Sequence, residues 1–239
     1  MPLDEQLNAL ARIYQILDDN PGQKTLACHR GCTACCTRDV TLTTLEGYWI
    51  ISRLSHSAEK ALMDHLARAE GGSGYAPAVT LNAVARRYAE DEDAEIDGHL
   101  SDDGSGPGGI CPLLVDDLCS IYAHRPLACR MMVSTHDCRT RGYAQIDPVF
   151  LSASNVFLQF TEHIDTGGFT GNLADVLPYL SNAGNRSAYE AGTAAPEAGK
   201  LIRNHPLTIL MVPPEHRQAI APIIQRLNPA IGDISSSMG

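Results

Sequence analysis

The sequence contains no apolar run approaching the roughly 20 residues that span a bilayer, so no membrane segment is expected. Positive charge is also scarce. Lys and Arg number 18 against 28 Asp and Glu, for a net charge of −10. Nucleic acids and anionic membranes attract basic surfaces, so neither is expected as a partner. Strand signals are few and short, and there is no internal repeat and no long low-complexity tail. No Ser/His/Asp triad or carboxylate pair stands out, and the acidic run "AEDEDAEID" reads as a solvated face. The opening "MPLDEQLNALARIYQ" is acidic and periodic, without the basic stretch and apolar core of a secretory leader. A cytoplasmic location follows as an expectation, and in that compartment disulfides are rare.

What remains is an ordinary composition, 44% hydrophobic and 19% charged, of the kind that folds in water. A chain of 239 residues is long enough to bury a sizeable core as one domain with an extension. Leu3, Leu7, Leu10, Tyr14 and Leu17 recur at helical spacing, and "NPG" at 20–22 stops that helix. Val40 and Leu42 alternate in a short extended stretch. Thr43 as N-cap and Glu46 three residues on form a capping box. The helix it starts, with Leu45, Tyr48, Trp49, Ile50, Ile51 and Leu54, is apolar over much of its circumference and is expected to be buried. "SAEKALMDHLARAE", closed by "GGSG", reads as a further helix, and Leu81, Val84, Ala85 and Tyr88 mark another. Phe150, Ala153, Phe157, Phe160 and Ile164 form a later helical stripe. "NLADVLPYLSNA" and "PEHRQAIAPIIQRL" also read as helices, the latter with Ile220, Ile223, Ile224 and Leu227 on one face and Pro222 as a kink candidate. The fold class expected is mostly α, a small single-domain helical fold with a short extended or hairpin element around a cysteine-ligated metal site. The divisions are an N-terminal helix at 1–22, a cysteine-cluster domain at 23–165 and a helical extension at 166–239.

Eight cysteines are few for a disulfide scaffold, but they are not scattered. "CHRGCTACC" holds Cys28, Cys32, Cys35 and Cys36 in one turn-like segment, and Gly31 lets the backbone curl there. Thiolates are soft ligands, so this cluster suits zinc or an iron–sulfur cluster and not calcium or magnesium. Disulfides at such spacing would constrain little chain, and adjacent Cys35 and Cys36 do not readily bridge. His29, Arg30 and Arg38 would offset thiolate charge. A second group, "CPLLVDDLCSIYAHRPLACR", adds Cys111, Cys119 and Cys129. Alone it reads as an apolar hairpin turning at Asp116–Asp117 with core cysteines. With the first group, a shared metal would staple distant segments and add its binding energy to folding. Adjacent side chains diverge, so Cys35 and Cys36 are expected to serve different metal atoms, or one of them to pack behind the site.

Three pieces, "CHRGCTACC", "VTLTTLEGYWI" and the pattern formed by Cys111, Pro112, Cys119, Ile121, Tyr122, Arg125, Pro126, Cys129 and Arg130, resemble the CxxCxxCC, or YkgJ-like, family of zinc- or iron-chelating cysteine-cluster proteins. The resemblance covers roughly residues 26–135. It implies a metal ion or cluster bound by Cys28, Cys32, Cys35, Cys36, Cys111, Cys119 and Cys129. The cofactor implied is an iron–sulfur cluster, [4Fe–4S] among the candidates, with zinc as the alternative. A redox role, a structural or carrier zinc module, and a protein-modifying enzyme like the family's flagellin lysine methylase all remain open, and no protein partner or substrate is indicated. Cys138 lies outside the matched motif, and its removal is expected to matter less.

Other readings are weaker. Cys28-x3-Cys32-x2-Cys35 is also the spacing of radical S-adenosylmethionine enzymes, but Cys36 adds a fourth thiol, Ala34 replaces the usual aromatic, and the alternating strands and helices of a partial barrel do not follow. "GSGPGG" fits a nucleotide-loop pattern without the strand before it or the helix after it. His29 and His136 stand beside cysteines but read as solvated or supporting residues. Tyr122, Arg125 and Pro126 are expected to hold the second group in place, with Arg125 and Arg130 as partners of its thiolates.

Overall fold

The computed structural model describes residues 1–19, 26–68, 74–90 and 109–231, with side chains to residue 229. The "NPG" stop, most of "GGSG" and of the acidic run, and "GSGPGG" up to Gly108 lie outside these residues. Among the described residues ten α-helices surround two small antiparallel sheets, as a mostly α fold requires.

The chain opens with α1 (Leu3–Asp18), which buries Leu10, Ile13, Tyr14 and Leu17. The cysteine run and β1 (Thr41–Thr43) follow, leading into α2 (Thr44–Ile51) through the expected capping box. Thr43 Oγ1 accepts the Glu46 N–H at 3.2 Å, and the Glu46 carboxylate accepts the Thr43 N–H at 3.1 Å. α3 (His56–Arg68) and α4 (Leu81–Ala89) come next. The expected apolar face of α4 is shifted: Tyr88 is exposed while Asn82 is fully buried. Asn82 is held there by donating to the Gln159 and His205 carbonyls, which offsets the cost of burying its amide.

A hairpin of β2 (Leu114–Val115) and β3 (Leu118–Cys119) turns at Asp116 and Asp117, with φ of 50° and 60°. Two central residues with positive φ make this the two-residue turn that matches strand twist, and aspartate tolerates that conformation. A 3₁₀ turn (Tyr122–His124) leads to α5 (Leu127–Met131) and α6 (Cys138–Arg141), which carry Cys129 and Cys138. α7 (Pro148–Ile164) buries the whole expected stripe of Phe150, Ala153, Phe157, Phe160 and Ile164. β4 (Phe169–Asn172), α8 (Leu173–Ser181), α9 (Ala183–Glu190), β5 (Leu201–Arg203) and α10 (Arg217–Ile231) complete the chain. α10 buries Ile220, Ile224 and Leu227, and Pro222 and Pro229 lie within it.

β4 is the middle strand of a sheet ordered β1-β4-β5, so the last third of the chain pairs directly with the segment after the first cysteines. Two apolar cores result. One gathers α1, α5, α7 and α10. The other lies between the sheet, α2, α3 and α8. α2 stands between them, giving Leu45 to the first and Ile50 and Ile51 to the second, which explains its apolar circumference. α8 approaches α2 so closely that a Cβ on Gly47 would lie 2.7 Å from Val176 Cγ1 and 2.8 Å from Leu180 Cδ1.

Candidate metal centre

The first cysteine group is built from two successive tight turns. Cys32 N–H donates to the His29 carbonyl and Cys36 N–H to the Thr33 carbonyl, each at 3.0 Å. Gly31 takes φ +88°, the left-handed value that a type II turn needs at its third position and that only glycine adopts without strain. The expected curl therefore sits at Gly31.

The run is then fastened at both ends. Ala27 N–H donates to the Ser134 carbonyl at 2.9 Å, tying the start to the segment before α6. Cys111 N–H donates to the Cys36 carbonyl at 2.9 Å, and Thr37 bridges Ile110, tying the end to the second cysteine group. Asn172 Nδ2 donates to the carbonyls of Arg38 and Tyr75, both at 2.9 Å, anchoring the next residues to the buried sheet. Within the second group the hairpin places Leu114 opposite Cys119, and α5 supplies Cys129.

All eight thiols are unpaired, and none is completely buried. Cys28 has Cys32, Cys35 and Cys138 within electrostatic reach; Cys36 has Cys111, Cys129 and Cys119. The turns and ties thus bring all seven expected ligands into one region, together with Cys138. The motif resemblance passes Cys138 by. The signal in the sequence was the full count of eight thiols in two runs, with Cys138 following Cys129 by a short step.

Cys35 and Cys36 form a coupled pair. The Cys35 thiol hydrogen-bonds its neighbour and is pushed far above the ordinary thiol range, while the same bond lowers Cys36. Burial raises Cys28, Cys111 and Cys119, and raises Cys129 to about 12, where neighbouring thiolates add to the effect. Crowded thiolates repel, so these groups stay protonated unless a cation offsets the charge. Arg125 supplies part of that charge, lying within reach of Cys35, Cys119 and Cys129. Its guanidinium stacks 3.8 Å from the Tyr122 ring centroid while Nε donates to the Tyr122 carbonyl. Arg130 does something else. It donates to the carbonyls of Arg125 and Ala123 and to Asp18, clamping α1 to the turn before α5. His136 has both ring nitrogens engaged, with Gln145 Oε1 at 3.0 Å and the Tyr143 carbonyl at 2.9 Å. His29 is exposed, its Nδ1 against the Arg30 carbonyl.

Among the described residues no group of three or more His, Cys, Asp or Glu side chains is arranged to hold a metal ion as it stands. The donor set nonetheless fits one chemically, because it is all thiol, partly accessible and short of positive charge. A binding metal would displace the thiol protons and draw the sulfurs inward. Nor, among the described residues, is any helix long and apolar enough to cross a membrane.

No curated protein and no solved structure matches the chain. Residues 27–147 match a family described as "Putative zinc- or iron-chelating domain". That span is just over half of the 239 residues and contains all eight cysteines. The chain belongs to this CxxCxxCC family of zinc- or iron-chelating domains.

Proposed function

We propose that Cys28, Cys32, Cys35, Cys36, Cys111, Cys119 and Cys129 are metal ligands and that the chain is an iron–sulfur protein with a redox role. One observation carries the reading: unpaired thiols from a tight turn, a hairpin and a short helix gather in one accessible region with the Arg125 guanidinium beside them. Thiolates are the usual ligands of iron–sulfur clusters, and such a cluster, when bound, supplies one-electron transfer. The chain's own part is to position the thiolates. The Gly31 turn aims the first group, the Cys36–Cys111 hydrogen bond joins the two groups, and Arg125 offsets their charge.

Zinc is the second reading, and the same feature supports it: four thiolates complete a tetrahedral zinc shell. The metal would then be structural or carried. Iron and acid-labile sulfide in brown, anaerobically purified protein support the first reading. A colourless protein containing zinc overturns it in favour of the second.

A further inference from the structure

We infer that the eight cysteines form two separate four-thiolate metal sites, one from Cys28, Cys32, Cys35 and Cys138 and the other from Cys36, Cys111, Cys119 and Cys129. This rests on the metal–thiolate reading above. It adds the number of sites, the division of ligands and the membership of Cys138.

The backbone defines the second set. The Cys36 carbonyl accepts the Cys111 N–H at 2.9 Å, so these two residues are fixed side by side. The Cys111 carbonyl accepts the Leu114 N–H, closing a turn into the hairpin that returns Cys119. Cys129 has Cys111 and Cys119 as its foremost charged neighbours, and the neighbours of Cys36 include all three.

The first set is built on a different tie. The Ala27–Ser134 hydrogen bond lays residue 28 against the strip that runs to α6. Cys28 Sγ lies 4.0 Å from the Ser134 carbonyl oxygen. Ser134 Oγ donates to the His136 carbonyl, and Cys138 Sγ lies 3.9 Å from that same oxygen. Cys28 and Cys138 thus approach through one local hydrogen-bonded strip, with Cys32 and Cys35 nearby.

Packing divides along the same line. Cys28 packs against the core of α1 and α7, while Cys111 and Cys119 pack against the core under the sheet. Arg139, on α6, is within electrostatic reach of Cys32, whereas Arg125 reaches Cys119, Cys129 and, at the boundary between the two sets, Cys35. Cys35 stands at the seam, in reach of both Cys28 and Cys129. Its thiol also hydrogen-bonds Cys36, and the ligand count assigns it: Cys36, tied to Cys111, already completes the second set of four, which leaves Cys35 to the first. The stoichiometry agrees. Four thiolates satisfy one zinc ion, and about four cysteines hold one four-iron cluster, so eight thiols make two sites.

Native mass spectrometry of the full chain, purified anaerobically, counts the bound metal directly. Wild type is expected to carry two zinc ions or two clusters, and Cys138→Ser and Cys119→Ser one each. Cys138→Ser is decisive on its own should Cys119→Ser fail to fold, because Cys138 is a partly exposed residue at the start of a four-residue helix. One centre in wild type, an unchanged count in Cys138→Ser, or loss of all metal from a still-helical Cys138→Ser overturns the division. A wild-type chain free of metal overturns the metal–thiolate reading beneath it instead.

Discussion

Glu46 Oε1 accepts the backbone N–H of Leu127 at 2.8 Å, so the carboxylate that caps α2 also fixes the first residue of α5. It accepts the Tyr14 hydroxyl at 3.1 Å as well, which brings α1 to the same point. One buried side chain thereby sets three helices, and the shortest of them carries Cys129.

Removing this carboxylate should cost more than removing the cap it serves. Thr43→Ala loses one capping acceptor, at about 1 kcal/mol. Glu46→Ala leaves two backbone N–H groups and a tyrosine hydroxyl without their acceptor in a buried place, at roughly 3 kcal/mol or more. Urea unfolding of the two variants checks the order. Equal losses would mean that the link from Glu46 to Leu127 contributes nothing.

Gly47→Ala pits helix propensity against packing. Alanine gains about 1 kcal/mol over glycine in a helix interior. The new methyl would lie 2.7 Å from Val176 and 2.8 Å from Leu180, and overpacking of that kind costs about 1–3 kcal/mol. The expected outcome is a lower melting temperature. A higher one would show that α2 and α8 can separate freely.

Asp165 gives the fold a pH dependence away from the cysteines. Burial raises its pKa to about 7, assisted by the nearby Glu46 charge, against the hydrogen bonds from Tyr189, Thr44 and Leu45 that favour the ionised form. A carboxyl with a raised folded pKa binds its proton more tightly folded than unfolded. Stability therefore falls as pH rises from about 4 through 7 and levels off above. Asp165→Asn should flatten that slope in melting curves taken across the range. An unchanged slope would assign it to another group.

Much of this architecture is legible in the chain. The α1 and α7 stripes, the Thr43–Glu46 capping box and the Asp116–Asp117 turn are local signals, each complete within a few residues, and each forms as read. The three-stranded sheet is not legible, because its strands are three or four residues long and β1 pairs with β4 across most of the chain. "FTGN" and "LIR" are too short to show alternation. The buried face of α4 misleads for another reason, since Asn82 is satisfied by Gln159 and His205, which no local pattern reveals. The cysteine motif is legible by spacing. The place of Cys138 beside Cys28 depends on the hydrogen bond from Ala27 to Ser134, a contact between distant segments.

Cys32→Ser and Cys129→Ser should each lower both the metal content and the melting temperature, because ligands from separate segments staple the fold. Metal analysis and calorimetry on the same preparations check this. Full occupancy with wild-type melting in Cys129→Ser rules out a site that joins the two groups, and the same result in Cys32→Ser rules out Cys32 as a ligand.

X-ray absorption at the edge of the bound metal tests thiolate ligation most directly. The expected spectrum of the full chain shows an all-sulfur first shell of about four neighbours per metal atom, near 2.3 Å for zinc. A short metal–metal distance would accompany it for an iron–sulfur cluster. A first shell made mainly of nitrogen or oxygen would contradict the account.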